Sequence, residues 1–151
     1  TCLWFDQEGE TAARFYVALV PESRIEDTFR PDPARPSLVV TFSLAGTPYM
    51  ALNGGPMFRP SPAASIVVTT EDQAETDRLW AALVADGGAE SQCGWLTDRF
   101  GVSWQIVPAA LPRLLMDADR AAAGRAQAAM MTMRKIDIAA LEAAFADTRG
   151  D

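Results

Sequence analysis

The first half of the chain combines short apolar runs with one amphipathic segment. Cys2–Phe5 is an apolar run of strand length. From about Glu10, apolar residues recur at the three- and four-residue spacing of a helix that Pro21 ends. These residues are Ala12, Phe15, Tyr16 and Leu19. The pattern predicts three more strands at residues 24–30, 38–44 and 49–53, the last two joined as a hairpin through residues 45–48.

The second half repeats this order. Ser65–Thr70 is rich in β-branched residues and predicts a strand. A helix follows, and the spacing of Thr70 and Gln73 predicts a capping box at its start. Three strands then follow, at residues 89–92, 95–98 and 103–107. The order strand, helix and three strands therefore occurs twice, in residues 1–53 and 64–108, and a loop rich in Gly and Pro at 54–63 joins the halves.

Residues 109–151 form a third region, which is rich in Ala and helical in period. It contains Met116, Met130, Met131 and Met133. Two arrangements fit such a tail: packing on the sheet of its own chain, or packing on a second subunit. We expect residues 1–151 to form a single domain, which is an ordinary size for one hydrophobic core.

The most informative segment is residues 93–108, which predicts a strand, a tight turn and a second strand. Asp98 and Gly101 stand at the first and last positions of the turn, as a type I turn prefers. In the second strand, Ser103, Gln105 and Val107 share one face. Trp104 on the other face is expected to be core. An unpaired buried amide costs roughly 1–3 kcal/mol, so Gln105 is expected to join a polar network or to point into a cavity.

Composition narrows the function classes. The chain has 49% hydrophobic and 22% charged residues, as a globular protein does. A formal net charge of −7 argues against nucleic acid as a partner, because nucleic acid selects basic surfaces. No apolar run approaches the ~20 residues that a membrane span needs, and no signal peptide is recognised. Cys2 and Cys93 do not make a disulfide framework and are expected to be buried in strands, so a cytoplasmic location is predicted.

The chain contains no histidine. Histidine is the commonest general base and a preferred ligand of zinc and other transition metals. A metal site would therefore have to use carboxylates, amides or thiols. For acid–base catalysis near the polar positions, Tyr49 and Cys93 are the only candidates, and no catalytic residue is assigned.

Besides residues 93–108, five segments carry a family pattern in the same order along the chain. They are Leu3-Trp4-Phe5-Asp6, Ala12-Ala13-Arg14-Phe15-Tyr16, Leu52-Asn53-Gly54-Gly55-Pro56, Asp77-Arg78-Leu79-Trp80 and Lys135-Ile136-Asp137-Ile138. These segments resemble the vicinal oxygen chelate (glyoxalase/bleomycin-resistance) superfamily, and most closely its PhnB-like branch, often labelled demethylubiquinone methyltransferase-like. The resemblance implies an α+β fold of two βαβββ modules in one curved eight-stranded mixed sheet around a cup, and pairing of modules between subunits as a homodimer.

The resemblance also implies where a metal would bind. In metal-using members, a Glu ligand follows an Asp-x-x-Gly turn, and that position is Gln105 here. The position of a His ligand on the first strand of the second module is Ser65. We therefore expect no tightly bound metal and no cofactor. The polar residues expected in the cup are Gln105, Ser103, Ser65 and Asn53, with Tyr49 on the face of Asn53.

These residues favour a protein that binds an unknown small, partly apolar molecule in the cup. Two alternatives stay open. One is a lyase, isomerase or dioxygenase that uses a weakly bound metal, and the other is a dimeric interaction protein with a vestigial site. The methyltransferase label finds no support in the sequence, because neither Gly54-Gly55 nor Gly87-Gly88 forms a Gly-rich turn that opens a helix after a strand.

Overall fold

The computed structural model describes residues 1–147. Residues 148–151, the end of the expected helical tail, lie outside the described residues. The chain divides into two compact units, Thr1–Ser61 and Pro62–Asp151. Each unit holds one four-stranded sheet, which confirms the predicted α+β class with two strand–helix–three-strand modules. The eight strands are hydrogen-bonded as two sheets of four.

The sheet of the first unit has the strand order β1-β4-β3-β2, with β1 parallel to β4 and the other pairs antiparallel. Its hairpin turn is shorter than predicted, because Thr47 and Pro48 already pair with β3. Ala45 and Gly46 alone make the turn, with φ angles of +44° and +80° that suit a two-residue hairpin loop. The elements are β1 (Cys2–Phe5), α1 (Gly9–Leu19), β2 (Arg24–Phe29), β3 (Val39–Leu44) and β4 (Thr47–Asn53).

The helix α1 covers one face of this sheet. Its side chains at Ala12, Ala13 and Tyr16 are fully buried, and the Tyr16 ring lies 6.4 Å from that of Phe42 on β3. Alternation along the strands puts Ala51 on this buried face and Met50 on the other, where it is 37% exposed. The core of the first unit therefore lies between α1 and the sheet.

The sheet of the second unit has the order β5-β8-β7-β6, with β5 parallel to β8. Its third and fourth strands are shorter than predicted. The elements are β5 (Ser65–Thr70), α2 (Gln73–Val84), β6 (Ala89–Glu90), β7 (Trp95–Thr97), β8 (Ser103–Pro108), α3 (Ala110–Leu115), α4 (Arg120–Met130) and α5 (Ile138–Ala146).

The predicted cap of α2 is wrong. Asp72 is the N-cap, and its carboxylate accepts a hydrogen bond from the backbone N–H of Glu75 at 2.8 Å. The Glu75 carboxylate accepts in turn from the N–H of Glu71 at 2.9 Å. Thr70 is unavailable because it is the last residue of β5 and its buried hydroxyl bonds to that of Thr76. The local carboxylates therefore start the helix two residues later than predicted.

Helix α2 covers only one of the two faces of the second sheet. The helix α2 packs on the face that carries Ile66, Leu96 and Trp104, and Trp104 is fully buried as expected. The opposite face, which we call the open face, is not covered by α2 and carries side chains of intermediate or full exposure except Ser103. By register, the open face consists of Ser65, Val67, Thr69, Ala89, Trp95, Thr97, Ser103, Gln105 and Val107.

The helical tail packs within its own unit, as the first of the two alternatives proposed. Its buried residues form one cluster with the end of β8. Partly buried side chains of Val107, Met130 and Met133 pack against this cluster. The buried members are Leu111, Leu114, Ala126, Ile136 and Leu141.

The prediction for the cysteines is only partly right. Cys2 lies in β1 but is exposed. Cys93 is half-buried. It lies outside the strands, in a turn before β7, and its φ is +57°. Both thiols are free. None of the helices within residues 1–147 is long and apolar enough to cross a membrane.

Candidate functional site

The turn before β8 is fixed by Asp98, which is 3% exposed. The N–H of Gly101 donates to the carbonyl of Asp98 at 3.0 Å, which closes the predicted turn. The Asp98 carboxylate accepts from the N–H groups of Phe100 at 2.8 Å and Val102 at 3.0 Å. It also accepts from the indole N–H of Trp104 at 2.8 Å. Because Trp104 is held on the helix side, Gln105 is directed to the open face.

On the open face, Gln105 bonds to Ser65. The amide Nε2 of Gln105 donates to the hydroxyl of Ser65 at 2.9 Å. The parallel register places Ser65 opposite Ser103, and Val67 opposite Gln105. The first strand of this module and its last strand therefore bring together three residues that the sequence predicted as a polar group.

Ser103 is the most buried member of this group, with 2% exposure. Among the residues that the structure describes, none lies within hydrogen-bond reach of its hydroxyl. A buried hydroxyl left without a partner costs about 1–3 kcal/mol. A water molecule or a polar ligand atom that reaches this closed hydroxyl would satisfy it.

The described residues that share the open face with this polar group are uncharged. Val67 is 57% exposed, while Trp95, the register partner of Gln105, is half-buried. Thr97 lies beside Ser103 on β7. The open face thus combines an amide and hydroxyl groups with an aromatic ring and aliphatic side chains. Such a surface suits a neutral molecule that both forms hydrogen bonds and carries apolar parts.

Asn53 lies in the first unit, and its amide is used within that unit. Its Oδ1 accepts from the backbone N–H of Gly9 at 2.8 Å, and its Nδ2 donates to the carbonyl of Ser37 at 2.7 Å. These bonds join β4 to the start of α1 and to the loop before β3. Asn53 therefore stabilises the first unit through its two hydrogen bonds. Its role in ligand binding stays a prediction.

Tyr49 also lies in the first unit, on the same face of β4 as Asn53. Its ring stacks on that of Phe42, with centroids 5.5 Å apart. Burial raises the pKa of the Tyr49 phenol above its ordinary value, which disfavours the phenolate. The role of Tyr49 in ligand binding also stays a prediction.

Sequence reasoning missed a groove of about 570 Å³ beside Tyr49 in the first unit. It contains Arg24 and Glu26 of β2, which form an ion pair at 2.9 Å. The Glu26 carboxylate also accepts from the hydroxyl of Ser43 at 3.0 Å. A register shift between Ile25 and Asp27 places these groups here, and no sequence signal announces that irregularity.

The residues at the superfamily's metal positions do not fit a divalent metal. A neutral amide and a hydroxyl replace the carboxylate and imidazole that such ions prefer, and the two side chains bond to each other. Within residues 1–147, there is no group of three or more His, Cys, Asp or Glu side chains placed to hold a metal ion. The arrangement on the open face can hold a neutral polar group, and no metal-dependent step is derived from it.

Residues 1–107 match the model of the family described as 3-demethylubiquinone-9 3-methyltransferase. The chain is also similar to the PhnB protein of Bacillus cereus, whose solved structure is 32% identical, with a TM-score of 0.67. That match covers 72% of this chain and 97% of the Bacillus protein.

Two more distant solved structures share the fold. Protein PA1353 of Pseudomonas aeruginosa is 21% identical with a TM-score of 0.60, over 71% of this chain and 93% of that one. A protein of Bacillus cereus described as a possible glyoxalase is 12% identical with a TM-score of 0.51, over 71% and 94% of the two chains. Among curated proteins, none matches the sequence at a significant level.

Proposed function

The chain belongs to the PhnB-like family of the glyoxalase/bleomycin-resistance superfamily, and on that premise we propose that it binds a small, partly apolar molecule without a tightly bound metal. The open face of the second unit receives the ligand. Gln105, Ser65 and Ser103 supply its hydrogen bonds. Trp95 and Val67 supply apolar contact.

The observation that carries this proposal is the buried Ser103 hydroxyl beside the Gln105–Ser65 pair. Gln105 and Ser65 already bond to each other, whereas the Ser103 hydroxyl has no partner among the described residues. A carbonyl or hydroxyl group of a ligand that reaches Ser103 would give it one. The absence of charge on the open face favours a neutral ligand over an anionic one, because nothing there balances a charge.

Replacing Gln105 by Leu should abolish most of this binding while the fold survives. Gln105 makes one hydrogen bond, so the free energy of unfolding should fall by only about 1 kcal/mol. Thermal-shift screening of wild type with a library of neutral amides, lactams and phenols should give hits whose affinity falls at least about tenfold in Gln105→Leu. The matched control is Gln127→Leu, since Gln127 is exposed on α4. Equal affinity in wild type and Gln105→Leu would remove Gln105 from the site.

A homodimer and a cytoplasmic location complete the proposal. The exposed Val67 and Met50 leave apolar side chains on sheet faces, which a second subunit would cover. Free thiols at Cys2 and Cys93 suit a reducing compartment. Sedimentation equilibrium should give twice the chain mass at micromolar concentration, and a single-chain mass would contradict the dimer.

A further inference from the structure

The helical tail begins where the match to the family model ends. The family model stops at residue 107, within β8, and α3–α5 follow. The segment between α4 and α5 is nevertheless bonded to the second module. The N–H groups of Cys93 and Gly94 donate to the carbonyls of Met133 at 2.8 Å and Arg134 at 2.7 Å.

The same segment is also held at α2. The Gln73 side chain donates to the carbonyl of Ile136 at 3.1 Å and accepts from the N–H of Ile138 at 2.9 Å. Ion pairs join Lys135 to Asp77 and Arg134 to Glu90. Ile136 itself is fully buried. The tail is therefore fixed to the module at the start of β7 and at the start of α2.

This fixed tail borders the open face. Val107, which shares the open face with Gln105, packs against the tail core together with Met130 and Met133. Two residues before Trp95, the thiol of Cys93 lies 3.8 Å from the sulfur of Met131. Met131 is 60% exposed. Methionine side chains of the tail thus stand at the end of the open face where β7 begins and β8 ends.

We infer that the tail is an apolar wall of the binding site, and that it selects a ligand whose hydrogen-bonding group carries an alkyl or ring substituent. This inference rests on the proposed function. The polar group of the ligand lies over Gln105, Ser65 and Ser103, and its apolar part extends past Val107 toward Met131. Thioether side chains are flexible and polarisable, so they adapt to such a substituent.

A series of N-alkylacetamides, from N-methyl to N-hexyl, tests the wall. Each is a neutral amide, and successive members differ by one methylene group. Binding is followed by NMR through the side-chain NH₂ signals of Gln105. In wild type, affinity should rise by up to about fourfold for each methylene group that reaches the wall. Met131→Ala should flatten this rise, so that N-hexylacetamide loses more affinity than N-methylacetamide does.

Two further variants sharpen the test. Met131→Gln keeps the length of the side chain but removes its apolar character, and it should flatten the series as the alanine does. Met116→Ala is the matched control, because Met116 is an exposed tail methionine at 81% and lies outside the tail core. If affinity rises with alkyl chain length in both Met131 variants as it does in wild type, the tail is not a wall of the binding site. The proposed function is unaffected by that result. No shift of the Gln105 signals in wild type with any amide would overturn the proposed function, and the wall with it.

Discussion

Replacing Asp98 by Ala is expected to lower the free energy of unfolding by about 3–4 kcal/mol, as measured by urea denaturation. The carboxylate accepts three hydrogen bonds in a site that is 3% exposed. Its loss leaves the N–H of Val102 and the indole N–H of Trp104 without an acceptor in a buried place. Because this residue fixes the face to which Gln105 points, ligand binding should be lost in the same variant.

The control for this effect is Glu142→Ala. Glu142 is 52% exposed on α5 and forms a surface ion pair with Arg113, so its loss should cost no more than about 0.5 kcal/mol. Asp98→Asn keeps one oxygen acceptor and should fall between Asp98→Ala and wild type. A stability of Asp98→Ala within 1 kcal/mol of wild type would show that the turn does not depend on this carboxylate.

Replacing Asn53 by Leu should cost about 3 kcal/mol of unfolding free energy. Leu has a similar volume but leaves the N–H of Gly9 and the carbonyl of Ser37 unpaired. Both Gly9 and Ser37 are buried, so each unpaired group costs about 1–3 kcal/mol. Chemical denaturation followed by fluorescence gives the value.

Gln7→Leu is the control for Asn53, since Gln7 is an exposed amide side chain near the start of α1. It should change stability by less than about 0.5 kcal/mol. A small effect of Asn53→Leu on stability would contradict the structural role of Asn53. Ligand binding would then be the remaining role predicted for this residue.

The sequence predicts part of the polar group on the open face. In β8, strand alternation puts Trp104 and Gln105 on opposite faces. Ser65 is expected beside Gln105 only from the family resemblance, and the parallel pairing of β5 with β8 brings the two together. Trp95, Val67 and Thr97 join the same face through strand pairing, which one sequence does not show because the paired strands are distant along the chain.

Other features depend on tertiary contacts that leave no sequence signal. Asn53 shares a strand face with Tyr49, as predicted, but its amide bonds to Gly9 and Ser37, which lie 44 and 16 residues away in sequence. Thr70 and Asp72 both precede α2, but only Asp72 caps it, because Thr70 is paired within the sheet as the last residue of β5. The helical period and the apolar residues of the tail are visible in the sequence. Its hydrogen bond to the N–H of Gly94 is seen only in the three-dimensional structure.

Metal-free ligand binding is tested most directly by an NMR titration of chelator-treated protein with neutral amides. We expect that the side-chain signals of Gln105 and the backbone signals of Ser65, Ser103 and Trp95 move together, and that added divalent metal changes nothing. If these signals move only after a divalent metal is restored, or if the purified protein holds metal at one ion per chain, the metal-free binding site is contradicted.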